Sequence, residues 1–209
     1  MRLLYITDRK QFPGDEKSRE RALLGKIAEA ARCGVDFIQL REKGLPARDL
    51  ETLARAARLA TENRERTTAL LINSRSDIAI ACGAAGVHLP ADDLLPSEVK
   101  NIWAKAGHPT RPLITISCHS ADEVAHAASE GADFAVFAPV FGKKDAPHAI
   151  PAGLDGLREA CRQKIPVLAL GGVTLANARA CLDAGAAGIA AIRLFQDNDI
   201  ADVVRLLKT

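Results

Sequence analysis

Apolar residues along the chain follow two alternating rhythms. Short apolar runs occur at Leu3–Ile6, Val35–Leu40, Thr68–Ile72, Gly86–Leu89, Leu113–Ser117, Asp133–Ala138, Pro166–Leu170 and Ala187–Ile192. Their length and their turn-forming flanks are those of buried strands. Between them, apolar residues recur every three or four positions, as at Leu23, Leu24, Ile27, Ala28 and Ala31 or at Leu50, Leu53, Ala54 and Ala57. That spacing puts one apolar stripe on a helix. Ser18, Pro46, Ser76, Pro96, Ser120 and Thr174 stand where these helices would begin. Gly34, Gly83, Gly131 and Gly185 stand where four of them would end, because glycine closes a helix in the left-handed region.

Cys33-Gly34-Val35-Asp36-Phe37, Cys82-Gly83-Ala84-Ala85-Gly86-Val87, Glu130-Gly131-Ala132-Asp133-Phe134 and Ala184-Gly185-Ala186-Ala187-Gly188-Ile189 are variants of one helix-glycine-strand joint. Their regular return, with strand and helix alternating to the end, predicts a (β/α)8 TIM barrel forming one domain over residues 1–209. An open doubly wound sheet is the competing architecture, but the turn after Ile6 lacks its glycine-rich fingerprint.

The 209 residues are 48% hydrophobic and 26% charged, a profile that supports a folded core. A net charge of +2 excludes a general electrostatic field for nucleic acid. No apolar run has the length of a membrane helix, and the amino terminus lacks the pattern of a secretory leader. The five cysteines include no C-x-x-C pair and read as reduced thiols of a cytoplasmic protein.

In a barrel, ligands meet the carboxyl ends of the strands. The run Ile38-Gln39-Leu40-Arg41-Glu42-Lys43 is the strongest such exit. Period-two geometry puts Gln39, Arg41 and Lys43 on one face and Ile38, Leu40 and Glu42 on the other. Two cations and an amide there call for an anion, or else for pairing of Arg41 and Lys43 with Glu42 and Glu51. Other exits carry Thr7, Asp8, Asn73, Ser117, His119, Gly171-Gly172 and Arg193. Thr115, Ser117 and His119 share one face, so His119 reads as a proton-transfer group at the rim or as a histidine bonded to a backbone carbonyl. His88 is expected to pack within the barrel. Gly171-Gly172 resembles a phosphate cradle ahead of a helix at Thr174, and its bland counterpart is a tight turn. Asp92-Asp93 could hold Mg²⁺ or cap the helix opened by Pro96.

Taken in order, Leu4-Tyr5-Ile6-Thr7-Asp8, Ile38 through Lys43, Gly86-Val87-His88-Leu89 with Asp92-Asp93, Ser117-Cys118-His119-Ser120, Ala138-Pro139-Val140-Phe141 and Ala169-Leu170-Gly171-Gly172-Val173 resemble the thiamine phosphate synthase/TenI family. The synthases of that family join hydroxymethylpyrimidine diphosphate to thiazole phosphate with Mg²⁺. The resemblance implies that Gln39, Arg41, Lys43 and Asn73 meet the pyrimidine diphosphate. It also implies that Asp93 helps hold the metal and that Gly171-Gly172 meet the thiazole phosphate. It implies a homo-oligomer, with Lys143 and Lys144 on a phosphate-covering loop.

Several positions depart from the synthase pattern. Ser74 replaces an aspartate, Gly142-Lys143-Lys144-Asp145 replaces Thr-x-Thr-Lys, Arg193 replaces a serine, and Pro90-Ala91 replaces Gly-Gln. These changes fall mostly on the metal-diphosphate half. The expectation from sequence is therefore a TenI-like thiazole tautomerase that needs no cofactor, with His119 moving the proton. A Mg²⁺-dependent synthase is the alternative, and a barrel that binds a thiamin intermediate without turnover, as a regulator, is the second.

Overall fold

The computed structural model describes residues 1–62, 67–142 and 150–208. Eight parallel strands close on themselves in sequence order: β1 (Arg2–Ile6), β2 (Phe37–Leu40), β3 (Ala69–Asn73), β4 (Gly86–Leu89), β5 (Leu113–Cys118), β6 (Phe134–Phe137), β7 (Val167–Ala169) and β8 (Gly188–Ala191). Around them run α1 (Glu16–Cys33), α2 (Ala47–Thr61), α3 (Ser76–Cys82), α4 (Pro96–Lys105), α5 (Ala121–Ser129), α6 (Gly153–Cys161), α7 (Ala178–Asp183), α8 (Arg193–Gln196) and α9 (Ile200–Lys208). The (β/α)8 barrel expected from the sequence is the observed fold.

Alternation along each strand divides the apolar residues into two sets. Leu4, Ile6, Phe37, Leu71, Val136, Leu168 and Ala190 fill the barrel. Leu3, Tyr5, Ile38, Leu40, Leu70, Ile72, Val87 and Leu89 belong to the larger layer against the helices. Gly86 and Gly188 are required by closeness: a β-carbon there would lie 1.8 Å from the Leu113 carbonyl oxygen or 1.9 Å from that of Arg2.

Three helix boundaries differ from expectation. Asp15, three residues before Ser18, caps α1 by accepting the Ser18 N–H at 2.9 Å. Thr174 does not begin a helix: its N–H donates to Asn177 Oδ1 at 2.7 Å, and α7 starts at Ala178. Beyond the last strand the apolar spacing predicts one helix, from about Ile200 to Leu207, yet the four-residue α8 precedes it, one residue after β8. Ser120 does cap α5, accepting the Glu123 N–H at 3.1 Å. All five cysteines are free, as expected. Among the described residues no helix is long and apolar enough to cross a membrane.

Candidate active site

The strand register gathers a polar band at the carboxyl end of the barrel. Asn73 lies beside His88, His88 beside Thr115, and Ser117 beside Val136. Gln39, from the inward face of β2, donates through Nε2 to Asn73 Oδ1 at 2.7 Å. Asn73 donates in turn through Nδ2 to Ser74 Oγ at 3.0 Å. Gln39 is only 1% exposed, and its Oε1 has no hydrogen-bond partner. The relay thus ends in a buried acceptor with no donor.

The backbone at the end of this relay is strained. Ser74 has φ of 61°, and the Arg75 N–H donates to the Asn73 carbonyl at 2.8 Å across it. This is the rare, high-energy form of the γ-turn. The Ser74 N–H donates to the His88 carbonyl at 2.9 Å and ties the turn to β4. Strain of this kind persists only where surrounding contacts impose it, and it clusters at ligand sites.

His88 is buried, as its sequence context predicts. Its Nδ1 is 2.8 Å from Thr115 Oγ1 and its Nε2 is 2.9 Å from Ser117 Oγ. Burial, and then the field of Arg41, pull its pKa from 6.5 down to about 3. The imidazole is therefore neutral near pH 7, with one ring nitrogen donating and the other accepting. Arg41 follows the last residue of β2 and so stands at this same end of the barrel.

The charged run after β2 does not pair as its bland reading suggested. Glu42 turns away from Arg41 and Lys43. It accepts from Thr7 Oγ1 at 2.5 Å, from the Arg9 N–H at 3.0 Å and from Arg9 Nη1 at 3.2 Å. Glu51 pairs with Arg55 instead. Burial raises the pKa of Glu42, against the lowering effect of Thr7 and Arg9. Arg41 is half-buried and Lys43 exposed. Among the described residues no carboxylate pairs with either.

His119 lies at the same end but is exposed. Its Nδ1 donates to the Ala138 carbonyl at 2.6 Å, which leaves Nε2 as the open nitrogen. The structural reading of this histidine is thus realised in the contact itself. Gly171 and Gly172 have φ of 100° and 64°. A β-carbon on Gly172 would meet the Gly142 carbonyl oxygen at 2.7 Å, so the β6 and β7 exits touch here. No acceptor among the described residues takes the N–H of either glycine, and Asn177 Nδ2 secures the Gly172 carbonyl at 3.0 Å. The cradle therefore opens on backbone N–H groups and lacks the helix end expected at Thr174. Arg193 is the first residue of α8. Lys143 and Lys144 lie outside the described residues.

Asp93 is half-buried beyond β4, and its Oδ1 accepts the Leu94 N–H at 2.8 Å. Asp92-Asp93 does not cap α4: Glu98 reaches back to the Leu95 N–H at 2.8 Å. Among the described residues no three His, Cys, Asp or Glu side chains converge on one point. Mg²⁺ commonly takes one or two carboxylates and completes its shell with substrate phosphates and water. Asp93 fits that partial role.

A cavity of about 630 Å³ opens at the opposite, amino-terminal end, lined among others by Arg58, Thr61, Thr68, Ala85, His108 and Thr110. Its cation is matched within the chain, since Arg58 pairs with Glu62 at 2.9 Å. The open acceptor, the open N–H groups and the carboxylate-free cations all lie at the carboxyl end, where barrel chemistry belongs. Arg9 and Gln196, which the sequence did not single out, brace this end together with Thr7 and Glu42, which it placed at strand exits without assigning them a part in the site. Period two had already put Glu42 on the face opposite Arg41, and that was the available signal.

Comparison with known proteins agrees with this geometry. The family model described as thiamine monophosphate synthase matches residues 3–195. A Geobacter sulfurreducens protein named "Putative thiamine-phosphate synthase" is 42% identical over 208 residues, covering 98% of this chain and 92% of that one. A Methanoculleus marisnigri thiamine-phosphate synthase is 37% identical over 195 residues, covering 92% and 88%. The solved structure of thiamine phosphate pyrophosphorylase from Pyrococcus furiosus superposes with a TM-score of 0.80 at 30% identity, covering 99% and 93%. A 3-hexulose-6-phosphate synthase, 18% identical with a TM-score of 0.71, shares the barrel alone. With its ordered strand exits, its barrel and these matches, the chain belongs to the thiamine monophosphate synthase family.

Proposed function

We propose that the protein joins hydroxymethylpyrimidine diphosphate to thiazole phosphate and releases pyrophosphate. The observation that carries this reading is the open Gln39 Oε1 at the end of the amide relay. A buried acceptor left unfilled costs about 1–3 kcal/mol. At the mouth of the barrel, a bound ligand can supply the donor. An aminopyrimidine has such an N–H group; a thiazole carboxylate phosphate offers acceptors only. The names of the relatives support the same choice over the isomerase that the sequence favoured.

In this reading the thiazole nitrogen attacks the pyrimidine's exocyclic carbon. A C–N bond forms, the C–O bond to the diphosphate breaks, and pyrophosphate leaves with the electron pair. Gln39, Asn73 and Ser117 hold the pyrimidine, and Arg41 and Lys43 meet the diphosphate. The Gly171 and Gly172 N–H groups take the thiazole phosphate, and Arg193 is assigned to the same anion. Lys143 and Lys144 are assigned to the same anions. Asp93 would hold Mg²⁺, which when bound neutralises charge on the departing pyrophosphate. The neutral His88 adds no second cation and keeps Ser117 oriented.

Gln39→Ala tests this assignment. It is expected to raise the KM for the pyrimidine diphosphate about tenfold or more, on the scale of one buried hydrogen bond, and to leave the KM for thiazole phosphate unchanged. Equal effects on both substrates would reject it. The tautomerase reading retains one specific support, the open Nε2 of His119 at the rim.

A further inference from the structure

Arg41 and Glu42 are adjacent in sequence, yet their charges are kept apart. The Glu42 side chain is 1% exposed and directed at the β1 exit, where Thr7 is fully buried. Two hydrogen bonds run in series through Thr7: the Arg41 N–H donates to Thr7 Oγ1 at 3.0 Å, and that hydroxyl donates to Glu42 Oε1 at 2.5 Å. The remaining carboxylate capacity is taken by Arg9, through its backbone N–H and its guanidinium, and Arg9 also pairs with Glu16. On the other flank the Asp8 N–H donates to Gln196 Oε1 at 2.9 Å, and Gln196 Nε2 donates to the Asp8 carbonyl at 3.1 Å. The β1 exit is thereby stitched to β2 on one side and to α8 on the other.

A carboxylate beside a substrate diphosphate would repel it and compete for its cation. Burying Glu42 without partners would cost several kcal/mol. Three donors, the Thr7 hydroxyl and the Arg9 N–H and guanidinium, offset that cost and at the same time fix the backbone from which Arg41 projects. The arrangement removes the adjacent negative charge and restricts the adjacent positive one.

We propose that Glu42, acting through Thr7, is a positioning residue that locks the β1 and β2 exits and keeps the Arg41 guanidinium available to the substrate diphosphate. The proposal rests on the reading of Arg41 as the diphosphate cation. Neither Glu42 nor Thr7 touches the reacting atoms; both act on Arg41.

Inorganic pyrophosphate, titrated calorimetrically into the intact protein with Mg²⁺, probes the clamp without requiring turnover. Arg41→Ala gives the reference loss. Thr7→Val breaks the relay while leaving the Glu42–Arg9 pair. It is expected to weaken pyrophosphate about tenfold, the effect of removing a hydrogen bond to a charged group. Thr7→Ser restores the hydroxyl and is expected to bind as the parent does. Glu42→Gln is expected to weaken pyrophosphate at least as much as Thr7→Val. Thiazole phosphate affinity, measured alongside, is expected to stay constant in all three, a split that general loosening of the fold would not produce. Parent-like pyrophosphate binding by Thr7→Val, an equal loss in Thr7→Ser, or no loss in Arg41→Ala would each overturn the proposal. If the expected pattern holds but no thiamin phosphate forms, the reaction reading falls and the clamp stands.

Discussion

His88 makes the stability of this barrel depend on acid in a way that one substitution can isolate. The imidazole is 4% exposed, held between Thr115 and Ser117, and prefers to stay neutral down to about pH 3, whereas in the unfolded chain it takes a proton near pH 6.5. Between those values the unfolded chain binds one more proton than the folded one. Stability from this residue is therefore fully present above pH 6.5 and is lost as pH falls toward 3. Each pH unit is worth about 1.4 kcal/mol for one proton. His88 should thus withdraw about 2 kcal/mol between pH 7 and pH 5, and about 4 kcal/mol by pH 3, where the folded ring begins to take the proton as well. The comparison is with His88→Asn, which keeps a donor and an acceptor but does not titrate. Its smaller volume costs stability at every pH and cancels when slopes are compared. Urea unfolding of both proteins at pH 7 and pH 5 should give a loss about 2 kcal/mol larger for the parent. Parallel losses would refute the claim that His88 is buried neutral.

Two glycines supply a matched pair of opposite sign. Gly86→Ala drives a methyl group into the Leu113 backbone and should destabilise by roughly 3 kcal/mol or more, visible as a lower Tm or lost soluble yield. Gly25→Ala, on the exposed face of α1 with nothing within 4 Å, should stabilise by about 0.5–1 kcal/mol in the same assay. For the metal, chelation should abolish condensation, and Asp93→Asn should raise the Mg²⁺ concentration needed for half-maximal rate. An unchanged Mg²⁺ requirement would remove Asp93 from that role.

Much of the barrel was legible because its signals are local. Strand alternation separates Leu4 and Ile6 from Leu3 and Tyr5, and glycine at a helix end reports a left-handed backbone regardless of what lies beyond. Boundaries were less legible where two residues could do one job. Asp15 and Ser18 are both capping residues, and Asp15 takes the role because Ser18 then supplies the N–H it accepts. The Asn177 side chain occupies the Thr174 N–H, so the helix starts later than its first capping residue suggests. The four residues of α8 are too few to show a helical period. In the site, Gln39, Arg41 and Asn73 announce themselves as polar residues at strand ends. The partners that arrange them do not. Glu42 bonds Thr7 and Arg9, more than thirty positions away, and only the closed barrel makes them neighbours. The sequence favoured the proton-transfer reading of His119 over the structural one. The Ala138 carbonyl that holds its ring belongs to another strand exit and leaves no mark near residue 119.

The most direct test of the proposed condensation is a paired turnover assay on the purified protein. Hydroxymethylpyrimidine diphosphate, thiazole phosphate and Mg²⁺ are supplied in one arm and thiazole carboxylate phosphate in the other, each with the parent and with His119→Ala. The account predicts Mg²⁺-dependent thiamin phosphate formation that His119→Ala changes by less than tenfold, the low edge of a general acid–base effect. It would be contradicted by no thiamin phosphate in the first arm, together with isomerisation in the second that falls by about 10²–10⁴-fold when His119 is removed.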